Sequence, residues 1–560
     1  MKMEYAVRFE TFSPTAVLAG VILVVLALVF PATSARAQTV DAAARCIDLR
    51  GFSVEKGRVV AASLERAGSF RSPDKAQYPG LPSFCRVTIL SASEPGSRIV
   101  SELWLPLEAA WNGKLLGAGN GGFAGAIRYN VLAGGLKRGF AVANTDMGTA
   151  PASAAGIWYE AGNGQPAMIR DWGHRATHLM TVAAKQVLLR FYGKPQRRAY
   201  FSGCSTGGHQ GLSEAQRYPD DYDGILAGAP GHNRTHLHIA FNYNFQKTQA
   251  TPARELPVAK ATLFRTAALK HCGGKDGGAP GELFLNTPLA CRFDPARLAC
   301  KPGQGENGCL TGGEIDSLRA FFGGARNPRT GELIYFPFLP GSENQAAPLL
   351  GNPQSDVRRA PGDLGPWMSD GTGASDRFDF DKDVDRLDAQ WGPDINALSP
   401  DLAEFSGRGG KLMLYHGWED GVVSPLDSVA YFESIDGGSQ NRDAFARLYM
   451  VPGMGHCMGG AGARPLTLED MPGDDFPDDE LLAALDRWVD GGIVPASLTG
   501  YAFEDGKLRA TRPLCAYPAV PRYQGTGDPT KASSFVCERK AALSFERPPP
   551  RYLFGAKGGG

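Results

Sequence analysis

The residues best suited to covalent chemistry lie in Gly203-Cys204-Ser205-Thr206-Gly207, which fits the pattern G-x-S-x-G. In that pattern a tight strand-to-helix turn lifts a serine oxygen clear of a sheet, and the flanking glycines permit a strained backbone. In a chain with 71 glycines the pattern alone is as readily a Gly-rich turn with a solvated serine. Two later residues change its weight. Asp420 follows the apolar run 411–415, and His456 follows the apolar run 447–451, each in a Gly-containing loop. A serine, a carboxylate and an imidazole suffice for acyl transfer. Ser205 would attack a carbonyl, His456 would take its proton and return it to the leaving alcohol, and Asp420 would orient the imidazole and stabilise its charged form. The tetrahedral intermediate needs two hydrogen-bond donors. The Thr206 amide, at the start of a helix, supplies one. The other is expected in the Gly121-Gly122 loop, where missing side chains let backbone approach a substrate.

These residues need a scaffold that brings distant loops to one edge. Short buried runs at 114–120, 139–144, 199–202 and 224–229 read as strands, and 172–191 reads as a helix ending at Tyr192-Gly193-Lys194-Pro195. Helix 209–217 follows the serine turn. Strand, helix, strand implies a parallel sheet. Alternation resumes with strand 411–415, helix 428–434, strand 447–451 and helix 481–489. The chain order Ser205, Asp420, His456 is that of α/β-hydrolases. Between 231 and 407 the pattern changes to many Gly and Pro, four cysteines and scattered aromatics (Phe336, Phe338, Trp367, Phe378, Phe380, Trp391). That density argues against a disordered linker and for an inserted lid domain, with most of these rings in its core. The division is therefore 38–230 and 408–560 for the two parts of an α/β-hydrolase core with a mostly parallel sheet, and 231–407 for the lid.

Length and composition agree with a large folded core: 560 residues, 43% hydrophobic and 21% charged. Basic and acidic residues balance at 58 each, so no net field draws the chain to nucleic acid or to an anionic membrane. Residues 1–37 read as a signal peptide: Lys2 and Arg8, the apolar run 16–30, then Ala35-Arg36-Ala37. The run is shorter than the roughly 20 residues of a spanning helix. Export makes the ten cysteines five disulfides by default. Spacing leaves their connectivity open, although Cys272 with Cys291, Cys300 with Cys309, Cys515 with Cys537 and Cys46 with Cys85 are local. If Ser205 and His456 meet, Cys204 and Cys457 are brought close enough to bridge.

Gly203-Cys204-Ser205-Thr206-Gly207-Gly208, His416-Gly417-Trp418-Glu419-Asp420 and Gly455-His456-Cys457 together resemble the "CS-D-HC" signature of the tannase and feruloyl esterase family. The resemblance runs from about Cys46 to Cys537 and includes Arg512-Pro513-Leu514-Cys515 and Phe535-Val536-Cys537. It implies an exported serine esterase with an α/β-hydrolase core and a lid that holds an aromatic acyl group. It implies Ser205 as nucleophile, Asp420 as acid, His456 as base and His416 as a substrate contact. The disulfides it implies are Cys204–Cys457, Cys46–Cys85, Cys272–Cys291, Cys300–Cys309 and Cys515–Cys537. Family members often carry a calcium loop of the form C-D-x-x-D-G-x-x-D-G. Here Cys272-Gly273-Gly274-Lys275-Asp276-Gly277-Gly278-Ala279-Pro280-Gly281 keeps only Asp276, too few oxygen ligands for Ca²⁺.

The expectation is a secreted or periplasmic carboxylic ester hydrolase that needs no cofactor for its chemistry and acts on small esters of aromatic acids, such as galloyl, feruloyl or terephthaloyl monoesters. With the signal removed it has no membrane or nucleic-acid partner, and its oligomeric state is open. Two rivals are a hydrolase using the Cys204 thiolate and a non-catalytic binder of phenolic ligands on the same fold.

Overall fold

The computed structural model describes residues 41–555 except 124, 151–165, 250, 344, 346–377, 436–438 and 469–479. The expected signal peptide at 1–37 and the aromatic Trp367 lie outside the described residues. Ten strands form one sheet. They are β1 (Ser53–Val54), β2 (Gly57–Glu65), β3 (Phe84–Ser91), β4 (Ile99–Pro106), β5 (Lys114–Ala118), β6 (Ala141–Thr145), β7 (Arg198–Cys204), β8 (Gly224–Gly228), β9 (Lys411–Gly417) and β10 (Ala446–Val451). Their order is β1-β2-β3-β4-β6-β5-β7-β8-β9-β10. Pairing is antiparallel from β1 to the β4–β6 contact and parallel from β6 through β10.

The expected strands in the parallel part are all present, with ends that differ by one or two residues from those expected. They read as continuous apolar runs because both faces are covered. On one face Phe201, Ile225 and Leu412 pack with Val187, Leu188 and Leu212. Those three belong to α2 (Ala176–Tyr192) and α3 (Thr206–Arg217). On the other, Tyr200, Leu226 and Met413 pack with Leu132 and Trp488. These lie on α1 (Tyr129–Lys137) and on a late helix, Leu481–Gly491. The antiparallel strands β1 to β4 had no counterpart in the sequence reading. Neither did the C-terminal pairs, Ser497–Glu504 with Lys507–Cys515 and Ala519–Tyr523 with Phe535–Arg539. The helix expected at 172–191 is longer: Pro166–Arg170 leads through a wide π turn, Asp171–Arg175, into α2. Gly173 in that turn lies against backbone, and a Cβ there would stand 2.0 Å from the Asp394 carbonyl oxygen.

The chain between β8 and β9 holds α4 (Arg234–Gln249), α5 (Val258–Cys272), α6 (Gly312–Gly323) and α7 (Asp383–Ile395). It has an apolar cluster of its own, built on Leu256, Phe264, Leu318, Phe321 and Phe338. Phe336, Phe378 and Phe380 are also buried, and Trp391 is partly so. All five expected disulfides form: Cys46–Cys85, Cys204–Cys457, Cys272–Cys291, Cys300–Cys309 and Cys515–Cys537.

At the end of β7 the backbone packs without side chains. A Cβ on Gly203 would lie 2.7 Å from the Gly207 Cα and 3.0 Å from the Gly119 Cα. Only backbone would have to yield, so Gly203→Ala should cost about 1–3 kcal/mol and lower the melting temperature by several degrees. Gly407→Ala, with nothing within 4 Å of the added carbon, should stay within about 0.5 kcal/mol of the parent. Paired thermal melts measure the difference.

Candidate active site

β7 stops at Cys204 and α3 starts at Thr206, which leaves Ser205 alone in the turn at φ 64° and ψ −116°. A left-handed serine is strained, and its neighbours over-determine it. Its N–H donates to the Gly228 carbonyl (2.9 Å), while its own carbonyl accepts from His209 N–H (3.0 Å) and Gly231 N–H (3.2 Å). The parallel strands β9 and β10 end at the same edge of the sheet as β7, so the loops that follow them converge on this turn.

His456 Nε2 lies 2.8 Å from Ser205 Oγ, and His456 Nδ1 lies 2.7 Å from Asp420 Oδ2. The carboxylate accepts the Nδ1 proton, so Nε2 is left to accept from the serine hydroxyl. Asp420 is fully buried. Its Oδ1 accepts from the N–H groups of Val422 (2.7 Å) and Val423 (2.9 Å), and its Oδ2 also accepts from His416 Nε2 (3.0 Å). Burial alone would raise this carboxyl. The charges of His456 and His416 and the hydrogen bonds from both rings outweigh it and hold Asp420 well below the usual carboxylate range. Ser205, Asp420 and His456 thus stand in line with the geometry of a general-base-activated nucleophile.

Cys204 and Cys457 bridge behind this line with Cα atoms 5.8 Å apart, which leaves Cys204 no thiol and removes the thiolate rival for the oxidised chain. The segment between β8 and β9 also reaches both loops. Gln345 Oε1 accepts from the His456 N–H at 2.5 Å, and its amide lies where a Cβ on Gly455 would stand. Arg265 on α5 holds both oxygens of Glu419, next to Asp420, at 3.1 Å. Burial pushes that carboxyl up to about 7 against the pull of the arginine. Neither contact was foreseen, because no local pattern marks a partner a hundred or more residues away.

The Thr206 amide opens α3, and the Thr206 hydroxyl donates to the Gly122 carbonyl at 2.6 Å. Gly122 sits at φ +58° with open space around it, as does Gly121. Both candidate donor segments therefore adjoin the serine. Asn120, just before them, was missed: its N–H donates to Gln210 Oε1 (2.8 Å) and its amide to the Thr145 carbonyl (2.9 Å). A buried Asn closing an apolar strand was the available signal.

His416 requires a correction. It is fully buried, its Nε2 faces Asp420 and the Val423 carbonyl, and its Nδ1 accepts from Ser428 Oγ at 2.7 Å. With both nitrogens used, it braces the acid and has no face for substrate.

The loop expected to bind calcium poorly does not fit the ion. Asp276 Oδ1 accepts from Gly278 N–H, and Oδ2 accepts from the N–H groups of Asn286 and Thr287. Its carbonyl accepts from Thr287 Oγ1 (3.1 Å) and that of Gly277 from Tyr523 N–H (2.9 Å). Glu282 pairs with Arg512, whose guanidinium lies between the rings of Phe284 and Phe535. N–H donors thus take both oxygens of Asp276 and an arginine engages Glu282, while Asn286 Oδ1 is buried without a hydrogen-bond partner. Among the described residues, His178, Glu214 and Asp221 bring three ligand atoms within 4.8 Å. Asp221 is already engaged by His178 (2.6 Å) and Lys185 (3.6 Å). Burial and the facing Asp221 push the Glu214 carboxyl well up.

Asp420→Asn should lower kcat by about 10⁴-fold, since an amide cannot hold the imidazole in the required tautomer. A depressed carboxyl contributes stability above its unfolded-state value, near 4, and loses it as pH falls. Melting temperatures from pH 8 to pH 3 should therefore show wild type ahead of the variant at neutral pH and the gap closing in acid. Calcium at millimolar concentration, or its removal by chelator, should move the melting temperature by less than about 1 °C; a rise of several degrees would contradict the occupied loop.

Comparison with known proteins bears on the family and the fold. The model of the family described as tannase and feruloyl esterase matches residues 85–360 and 374–538. An uncharacterized esterase of Xanthomonas campestris pv. campestris is 34% identical over 92% of this chain and 94% of its own length. A probable feruloyl esterase B-1 of Aspergillus flavus is 30% identical over 81% of this chain and 86% of its own. The crystal structure of feruloyl esterase B from Aspergillus oryzae superimposes with a TM-score of 0.81 at 25% identity, covering 89% of this chain and all of that one. A tannin acyl hydrolase from Aspergillus niger shares the fold at TM-score 0.69 and 20% identity. The chain shares its α/β-hydrolase architecture with these two structures, and it belongs to the tannase and feruloyl esterase family.

Proposed function

We propose that this protein is an exported serine carboxylic ester hydrolase that cleaves small esters of aromatic acids through an acyl-enzyme. The alignment of Ser205 Oγ, His456 and Asp420 at 2.8 and 2.7 Å carries the reading. His456 takes the Ser205 proton as the oxygen attacks the ester carbonyl. Charge then gathers on the carbonyl oxygen, facing the Thr206 amide and the Gly121-Gly122 loop, and each such donor is worth about 3–4 kcal/mol. The imidazolium, stabilised by Asp420, returns its proton to the leaving alcohol. Water enters by the same route in reverse and releases the acid.

The aromatic acyl preference rests on the relatives' names, feruloyl esterase B and tannin acyl hydrolase. The segment 231–407, tied by Gln345 and Arg265 to the two triad loops, is well placed to act as the lid that holds the acyl ring. Five disulfides and the apolar run 16–30 behind Lys2 and Arg8 support an oxidising, extracytoplasmic location. The chemistry asks for no cofactor.

Methyl gallate, methyl ferulate and mono(2-hydroxyethyl) terephthalate, assayed side by side, should show turnover of at least one. Ser205→Ala should abolish that turnover by about 10⁴-fold or more and eliminate labelling by a fluorophosphonate probe. A wild-type protein that binds these compounds but neither hydrolyses them nor takes the label would be the non-catalytic binder instead.

A further inference from the structure

Arg234, in the first turn of α4, is a charge without an explanation in the mechanism above. It is 4% exposed. One guanidinium nitrogen, Nη2, donates to Thr206 Oγ1, and Nε is buried with no hydrogen-bond partner. The guanidinium lies 4.8 Å above the Trp172 ring. Buried arginines are ordinarily paired, because an isolated desolvated charge is costly. Among the described residues no carboxylate lies within ion-pair distance of this one. Burial draws the guanidinium down to about 9, which leaves it cationic at neutral pH.

Its location makes the resting arrangement still less favourable. The partner hydroxyl belongs to Thr206, the first residue of α3, where the helix dipole is already positive. Positive charge beside a positive helix end is repulsive until an anion arrives. The hydrolytic reaction supplies one at that end of the helix, the oxyanion of the tetrahedral intermediate, and only while that intermediate exists. An interaction that is unfavourable at rest and favourable in the transition state raises kcat rather than lowering KM.

The hydrogen-bond chain has a direction as well. An arginine side chain has donors only, so Thr206 Oγ1 must accept from it and turn its own proton to the Gly122 carbonyl. A Cβ on Gly122 would meet nothing within 4 Å and its φ is positive, so the hydrogen bond from Thr206 is a principal hold on its carbonyl. The Arg234–Thr206–Gly122 chain ties the Gly loop to the helix N-terminus and so sets the spacing of the two donor segments.

We propose that Arg234 is a cationic positioning residue of the oxyanion hole, orienting Thr206 and the Gly122 peptide and lending the hole a positive charge that, among the described residues, no carboxylate neutralises. This rests on the ester-hydrolase reading.

The test uses the full-length enzyme with Arg234→Met, Arg234→Lys, Thr206→Val and Thr206→Ser. Three quantities are measured: kcat, KM for the best ester of the panel, and the Kd of phenylboronic acid, which adds the serine oxygen to form an anionic tetrahedral adduct. Arg234→Met should lower kcat by about 10- to 100-fold, less than or equal to the loss of one direct donor. KM should stay within about threefold, and boronate affinity should fall in parallel with kcat. Arg234→Lys keeps the charge and should recover at least a few-fold of the lost kcat. Thr206→Val, which keeps the amide donor but breaks the chain, should show the same signature, and Thr206→Ser, which restores the hydroxyl, should recover at least a few-fold of the kcat that Thr206→Val loses. Unchanged kcat in folded Arg234→Met or Thr206→Val would overturn the proposal. So would a rise in KM at constant kcat, or boronate affinity that does not follow kcat. If Arg234→Met fails to fold, Arg234→Lys and Thr206→Val decide the matter by the same criteria. Loss of fluorophosphonate labelling in wild type would instead refute the ester-hydrolase reading itself.

Discussion

The carboxylate of Asp420 is the constraint on which the site depends. A charge with no solvent exposure persists only if every lone pair is met, and here two backbone N–H groups and two imidazoles meet them. Each partner fixes something else. The Val422 and Val423 amides fix the turn after β9, His416 is locked between the acid and Ser428, and His456 is aimed at Ser205. The sheet order makes this possible. β9 and β10 are parallel neighbours, so their following loops leave from one edge, and Gly417 pairs with Val451 where they do. A Cβ on Gly417 would stand 2.1 Å from the Met454 carbonyl oxygen, so the acid loop and the base loop touch backbone to backbone.

On the serine side the same closeness comes from Gly119, Gly203 and Gly207, whose backbones pack where side chains would collide. Ser205 and Cys457 both take left-handed conformations, and the disulfide between Cys204 and Cys457 joins the two strained turns. Strain in both turns and a buried arginine with no carboxylate beside it among the described residues are features that lower stability in a resting fold. On the proposed reading they serve a charge that exists only transiently.

The sequence disclosed the chemistry more readily than the scaffold. Ser205, Asp420 and His456 were legible because each ends or follows an apolar strand of the parallel sheet, and such strands, buried on both faces, stand out as runs. β1 to β4 were not read, although β3 alternates buried and half-buried positions along 84–91 in the manner of a one-sided antiparallel strand. The resemblance supplied the disulfide pairing that spacing left open. It misassigned His416, since a motif fixes that residue's place in the chain but not the side of the acid on which its ring lies. Arg234, Gln345 and Arg265 carried no signal at all. Their meaning comes from partners that the fold places beside them, and in the sequence each is an ordinary polar residue in an irregular segment.

That irregular segment is more than a cover. Through Gln345 it holds the backbone N–H of His456, and through Arg265 it holds the residue next to Asp420. Through Arg234, which opens α4, it reaches the first residue after Ser205. Each of the three triad loops is thus contacted by the stretch of chain inserted between β8 and β9. If the segment holds the acyl group as proposed, substitutions that reshape that space also load these contacts. A shift of about 1 Å at His456 is enough to cost 10²-fold in rate. On that reading specificity and turnover are coupled. An insertion seated on the loops that move the proton must be repacked as a unit when it is altered to admit a different acid.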